Sequence, residues 1–552
     1  MPPRRAGRRP TNLFFMGLLS FLSLTLLLTA VRISVATSSP GLQALRLNER
    51  AVLGEASDGL GTQAALDPGS VPSGTAVNQT SATAVDAARK ATRTVPTQPA
   101  TPMKTAIKLE DDGFYGRKYQ LGQCWIREHS DRSGEYLVNG WDLKLNTTAE
   151  CCQACADYKP VKEKSFAPCN VWNYCDGSNS NCTAGHCWLK YQPRPWGMHV
   201  ISHPSQGGMS GTIIPPPELP VSTVKPGDDR SYHIVVSAQG EAVHWQMRIN
   251  YYHYKKVKKQ CQAQPKCEMG GYTRLLHSGK PDDLMYEIPT YVVDKLPEGL
   301  EDPTYLALNR PYAFMQWSKQ AVIPEKYIFM MEPDHIWVRP MPNIMINDRP
   351  IGYPFFYMEP ATSGMLKVMQ KFLGPLSRSE IEQKVAPLGS SPMLITMGDL
   401  QKVAPLWLAY GTIIHKDVEA NKAFGFVKEM YAFIIGLYHA GILDTDLSPE
   451  MMAQPPYDNL YMGAYYIMHY TYAFEYREDG SHWGSYDAPY RYDKRKYAHV
   501  IQPRNLTMPP AGVQNDQVWW VLNAMKEAMN AIPDWDQYEK DKVAKKLWNG
   551  VL

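Results

Sequence analysis

No charge of either sign dominates this chain of 552 residues: Lys and Arg number 57 against 54 Asp and Glu, for a net charge of +3. That balance argues against nucleic acid as a partner, because such binding shows as a basic stripe or patch. Internal repeats are absent. With 44% hydrophobic and 20% charged residues, the chain is neither a polytopic membrane protein nor wholly disordered. A second C-x-x-C to match Cys152 and Cys155 is missing, which argues against a zinc ribbon. Between Thr37 and Lys104 there is no aromatic residue, and Ser, Thr, Ala, Pro and Gly prevail. Such a stretch cannot bury enough apolar surface to offset chain entropy, and it reads as a flexible stem.

One long apolar run is present, the uncharged stretch Asn12–Val31, preceded by Arg4, Arg5, Arg8 and Arg9. Its length suits a bilayer-spanning helix, and the preceding positive charge places the rest of the chain on the lumenal side. A cleaved signal peptide would carry a shorter apolar core, so a retained signal anchor is the reading adopted. We therefore expect a cytosolic tail (1–11), a membrane anchor (12–31), a stem (32–110) and a lumenal remainder. This is the layout of a single-pass type II Golgi enzyme.

Eight of the ten cysteines fall between Cys124 and Cys187, as expected of a small disulfide-braced domain in an oxidising compartment. The runs CCQACADY, CNVWNYC and HCWLKY within 111–212 resemble a PAN/Apple module, a type of interaction domain. Cys261 and Cys267 read as a separate local disulfide. A Pro-rich linker (213–229) marks a domain boundary before the region 230–552. Asn78, Asn146, Asn181 and Asn505 each begin a glycosylation sequon.

Beyond Asp229 the pattern becomes strand and helix in alternation. Tyr232–Ser237, Tyr291–Asp294 and Tyr327–Met331 read as buried strands, and Val243–Lys259 as a helix. This predicts an α/β fold with a mainly parallel sheet and a ligand site beyond the strands' C-terminal ends. Glu332-Pro333-Asp334 follows the last of these strands. In an extended segment alternate residues point the same way, so two carboxylates could hold a hard divalent ion against a diphosphate. An acid-x-acid triplet is by itself more often a solvated turn. The neighbouring Trp337–Pro342 and Tyr353–Tyr357 suit a pocket wall or a core equally. Glu429 lies in a segment read as helical, Lys422–Leu437, and a carboxylate on an apolar face must be paired or used.

Ordered motifs then carry a resemblance: WQMRINYYHYKK (245–256), GGYTRLLHSGKPDDLMYEIPT (270–290), LNRPYAFMQW (308–317), MEPDHIWVRPMPN (331–343), KAFGFVKEMYAF (422–433), QPPYD (454–458), IMHYTY (467–472) and YRYDKRKY (490–497). From Tyr232 to about Asp536 the sequence resembles plant and algal hydroxyproline O-arabinosyltransferases. Ser390, in PLGSSP, stands where the family pattern leads us to expect Asn. The Cys-rich module is a second departure, pointing to an algal-type architecture.

The resemblance implies a GT-A-like fold and transfer of L-arabinofuranose from UDP-L-arabinofuranose to 4-hydroxyproline of Hyp-rich proteins, with retention. It implies that Asp334 and His469 hold a divalent cation, Mn²⁺ being favoured by mixed imidazole and carboxylate ligands. Glu332 would stand in the ribose or metal shell, while His335 should project to the other side. Thr273, Arg274, His277, Asn309 and Arg310 are the donor-side candidates, arginine being suited to phosphate oxygens. Glu429 would face the acceptor, with Asp446 and Asp458 in reserve. The rival readings are a peptidyl-serine galactosyltransferase of the same pathway and a catalytically dead binder of wall glycoproteins.

Overall fold

A computed structural model describes the short strand Ile107–Lys108 and residues 117–536. Within that span 161–166, 179–182, 199, 203–206, 219–221, 223–224, 226, 239–242, 278, 303–304, 458–459 and 499–501 are not described. The tail, the apolar run Asn12–Val31 and nearly all of the stem lie outside the described residues, as do Asn78, Asn181 and Asp458. Among the described residues no helix is long and apolar enough to cross a membrane.

The Cys-rich region is a seven-stranded antiparallel sheet and a separate antiparallel pair, Ser130–Arg132 with Val200–Ser202, with a helix, Thr148–Asp157, packed on the larger sheet. Thr147 caps that helix by accepting from the Glu150 amide at 3.1 Å. Cys151, Cys152 and Cys155 are its buried residues. They form disulfides with Cys187, Cys124 and Cys169, so each bridge ties the helix to another part of the sheet or its loops. Apart from cysteines, the buried apolar residues of this core are Trp172, Ile126, Leu189 and Tyr174, with partly buried side chains around them, which is why covalent links matter here.

The region 230–536 is built on a seven-stranded sheet. Strand β1 (Tyr232–Ala238) leads into helix α1 (His244–Gln262), and strands β2 (Met269–Leu276) and β3 (Thr290–Val292) follow. Helix α2 (Asn309–Gln320) precedes strand β4 (Tyr327–Met331), and beyond it come β5 (Ile351–Pro354) and β6 (Leu388–Thr396). Helices α3 (Met397–Lys416) and α4 (Lys428–His439) and the short β7 (Asp446–Leu447) complete the set. The strand order is β3-β2-β1-β4-β6-β5-β7. Pairing is parallel from β3 to β4, antiparallel on both sides of β6, and parallel again at β7. The sheet is thus mixed, and the sequence reading lacked β2, β5, the antiparallel strand β6 and the short β7. All nine residues of β6 are buried; its small residues and proline, LGSSP, hide a strand from any β-propensity argument.

Cys261 and Cys267 are disulfide-bonded, as the sequence suggested. The segment Lys422–Leu437 is not one helix: it breaks at Gly425, whose φ of +54° favours glycine, and α4 begins only at Lys428. The Cys-rich region packs directly on the region 230–536. The Tyr191 hydroxyl donates to Glu382 at 2.8 Å, and Arg378 pairs with Glu135 at 2.5 Å. A second core, distinct from the one around the main sheet, joins α1 to the C-terminal helix Asp516–Ala531. It lies against a small sheet of His335–Trp337, Ile467–His469 and Met452–Ala453.

Candidate active site

Strand β4 is buried throughout, and the chain leaves it in a tight turn at Pro333 and Asp334. The His335 amide donates to the Glu332 carbonyl at 3.2 Å. The segment is therefore turned rather than extended, which corrects the placement of His335. The turn keeps its ring on the same side as the two acids. His335 and His469 are also antiparallel partners in the small sheet, so their rings meet with centroids 4.5 Å apart. Ligand atoms of Glu332, Asp334, His335 and His469 all lie within 4.8 Å of one another.

These groups are buried and strongly coupled. The His469 Nε2 lies 3.1 Å from Asp334 Oδ2, and the Lys494 ammonium pairs with the same oxygen. Burial opposes the Asp334 charge, but Lys494 and His469 outweigh it and hold the carboxyl well below its ordinary range. Burial, and then His469, push His335 well below its ordinary value, leaving a neutral imidazole. His335 Nε2 and His469 Nδ1 are buried without a hydrogen-bond partner among the described residues. Carboxylate oxygens beside unpartnered imidazole nitrogens are a donor set that fits a divalent cation.

The group borders a cavity of about 740 Å³. Its walls come from Ser237 at the C-terminal end of β1, Arg310 in the first turn of α2, Ser390 and Ser391 on β6, and Glu429 in the first turn of α4. Phe355 and Tyr357 line it too, whereas Phe356 does not. Arg310 bridges two acids, meeting Glu332 at 3.0 Å and Glu429 at 3.2 Å. Burial opposes its charge, but the two glutamates raise its pKa above the ordinary value. Burial likewise pushes the Glu429 carboxyl up, against the pull of Arg310. The Ser390 hydroxyl donates to Glu429 at 3.2 Å, so the departure from the family pattern falls beside this acid.

The other sequence candidates sit elsewhere. Arg274 is fully buried and held by Asp282 in a two-pronged pair at 2.9 and 2.5 Å; it is committed there and does not line the cavity. Thr273 contacts His233 at 2.8 Å in a chain that ends on Glu325, and Asn309 donates to the Leu306 carbonyl at 3.0 Å. His277 stands one residue behind the wall, 3.0 Å from the Ser237 hydroxyl. Burial and the nearby Arg310 push its pKa down to about 3. Asp446 is paired with Arg349 at 2.7 Å. Of the five donor-side candidates, only Arg310 therefore reaches the cavity. Lys494 and Arg495 also line it and were given no role from sequence, although the basic run KRK in YRYDKRKY was a visible signal.

A sequence model of the hydroxyproline O-arabinosyltransferase family N-terminal domain matches residues 232–447, and one of the family's C-terminal domain matches 466–536. The chain belongs to the hydroxyproline O-arabinosyltransferase family. Among its relatives, hydroxyproline O-arabinosyltransferase RDN1 of Medicago truncatula is 44% identical over 56% of this chain and 84% of that protein. Hydroxyproline O-arabinosyltransferase 1 of Arabidopsis thaliana is 43% identical over 55% of this chain and 81% of its own. Hydroxyproline O-arabinosyltransferase 3 of the same plant is 37% identical over 61% and 92%. The cavity and the group around Asp334 draw on both matched domains, while the Cys-rich region lies outside both.

Proposed function

We propose that this protein transfers L-arabinofuranose from UDP-β-L-arabinofuranose to 4-hydroxyproline of Hyp-rich, extensin-like wall proteins, with retention of anomeric configuration. The observation that carries the reading is the group Glu332, Asp334, His335 and His469, the first two and the last lining a cavity of nucleotide-sugar size, in a chain of this family. A divalent ion, Mn²⁺ by the mixed donor set, would be held by Asp334 and His469 with Glu332 and His335 beside them. When bound it supplies Lewis-acid stabilisation of charge on the departing UDP.

The chain's own residues do the rest. Lys494, next to Asp334, gives the diphosphate a cationic partner from the C-terminal domain. Arg310 holds Glu332 and Glu429 apart and fixed despite their like charge. Glu429 is then the buried carboxylate available on the acceptor side. Retention follows either from a covalent intermediate on such a carboxylate or from front-face attack in which the leaving phosphate takes the acceptor proton. Trapping a glycosylated Glu429 would establish the first course.

The parallel half of the sheet, with its acids beyond β4, supports a GT-A-like fold. The helix bridged to an antiparallel sheet supports a PAN/Apple-like accessory. The arginine cluster, the apolar run and the stem support a single-pass type II anchor in the Golgi membrane; protection of the lumenal part from protease in intact vesicles tests it. For the activity, purified protein with UDP-arabinofuranose and a Hyp peptide should give one alkali-stable pentose per modified Hyp. Pro and Ser peptides should stay unmodified, and chelation by EDTA should stop the reaction. Galactose on serine with no pentose on Hyp would overturn the reading.

A further inference from the structure

A second cavity, of about 90 Å³, opens where the Cys-rich region meets the catalytic region, and both supply its walls. Glu135, Tyr191 and Pro193 come from the first, and Phe356, Met358 and Glu359 from the second. The junction is well held. Arg378 pairs with Glu135 and, at 2.8 Å, with Glu382, while Arg194 donates to the carbonyls of Thr445 at 3.2 Å and Glu382 at 3.3 Å.

This cavity shares a wall with the candidate active site. Phe355 and Tyr357 line the catalytic cavity, and Phe356 between them lines the second. The rings of Phe356 and Tyr357 have centroids 5.1 Å apart, so the aromatic run Phe355–Tyr357 presents rings to both spaces. Phe356 is 50% exposed, an apolar surface left open by the described residues. The charges are unequal as well. Glu135 and Glu382 share Arg378, whereas the Glu359 carboxylate has no ion-pair partner among the described residues. Burial, and then Glu135, push its pKa up.

We propose that the second cavity is an acceptor subsite, taking a basic, proline-rich stretch of the polypeptide a few residues from the hydroxyproline being modified. This rests on the activity proposed above. Pro-rich chains keep a preformed polyproline II shape, rise about 3 Å per residue and dock on exposed aromatic rings at little entropic cost. Phe356 supplies such a ring, and Glu359 selects for a lysine or arginine. The Cys-rich region then determines which polypeptides are modified, while the chemistry stays with the matched domains.

The test uses the full chain and three fluorescent Hyp peptides: a short one, the same extended by prolines with a lysine, and the same extension with a glutamate. Binding is read by anisotropy and transfer by pentose release into product. The wild type should bind the lysine-extended peptide about tenfold more tightly than the short one. Phe356→Ala should lose that gain with kcat on the short peptide unchanged, and Glu359→Gln should bind both extensions alike. Equal binding of short and extended peptides by the wild type, or a full gain in Phe356→Ala, overturns the proposal. If no peptide receives a pentose, the activity reading falls, and the anisotropy difference between wild type and Phe356→Ala still settles the subsite.

Discussion

The Cys-rich and catalytic regions solve the same problem of stability by different means. In the first, one helix carries three cysteines into a small apolar core, and disulfides to Cys124, Cys169 and Cys187 do what packing cannot. In the second, a broad core of Ile, Val, Leu, Met and aromatic side chains surrounds the main sheet, and the one disulfide closes a loop of separation 6. A large core can also carry charges that a small one could not. Asp334, Glu429 and His335 are all buried at its edge; Lys494 and His469 outweigh the cost of burial at Asp334, whereas burial prevails at Glu429 and His335. Covalent links hold a small region and a packed interior holds buried charges, which is the division that this contrast teaches.

The largest effect should come from the charged edge. Asp334→Ala should lower turnover by about a thousandfold, as expected when transition-state charge loses its stabiliser. Its circular dichroism should stay near that of the wild type, with Tm lowered because Lys494 and His469 lose their buried partner; a rate within a few fold of wild type would place the chemistry elsewhere. Next, removing the Cys151–Cys187 bridge, of separation 36, should destabilise the Cys-rich region by about 4 kcal/mol. Removing Cys261–Cys267, of separation 6, should cost the catalytic region about 2 kcal/mol. Denaturant titration with separate probes for the two regions reads both, and equal losses would erase the contrast.

A smaller effect separates structural from functional arginines. Arg274→Ala removes one of the two partners of Asp282, His244 remaining at 2.9 Å, and should cost about 2 kcal/mol of stability, with the KM for the UDP sugar unchanged. Arg310→Ala should instead impair turnover, because Glu332 and Glu429 then repel across the cavity.

The smallest effect depends on pH. Burial opposes the Glu325 charge, but hydrogen bonds from His233 and the Gly271 amide prevail and bring its pKa from 4.5 down to about 2. A depressed carboxyl stabilises the fold above its unfolded pKa and loses that contribution as pH falls through the folded value. Glu325→Gln should thus lower stability by about 1 kcal/mol at pH 7. The gap to wild type should close between pH 4.5 and about 2, and a gap that does not change with pH would remove Glu325 from the linkage.

Much of the site was legible before the structure was seen. Glu332, Asp334 and His469 come together with Glu429 and Arg310 around one cavity. His335 was read as turned away because an extended chain alternates its side chains, and the turn at Pro333 and Asp334 cancels that alternation. Arg274, Thr273 and Asn309 were chosen by residue type near a motif, and residue type says nothing of where a partner stands. Asp282, eight residues on, claims Arg274 because the chain after β2 folds back onto it.

What the sequence determined alone is whatever depends on local order and composition: the buried strands at Tyr232 and Tyr327, the cysteine-dense region, the stem's low complexity and the ordered motifs of the family. Each rests on residues close together in the chain, where periodicity, turn chemistry and the hydrophobic effect act without knowledge of the fold. The tertiary structure decided the rest. It set β6 antiparallel beside β4, brought Lys494 onto Asp334, gave Arg310 two acids to hold, and turned Phe356 away from its neighbours toward the Cys-rich region. Those outcomes join residues far apart in sequence, and their energies come from burial and charge pairing that exist only once the distant segments are packed together.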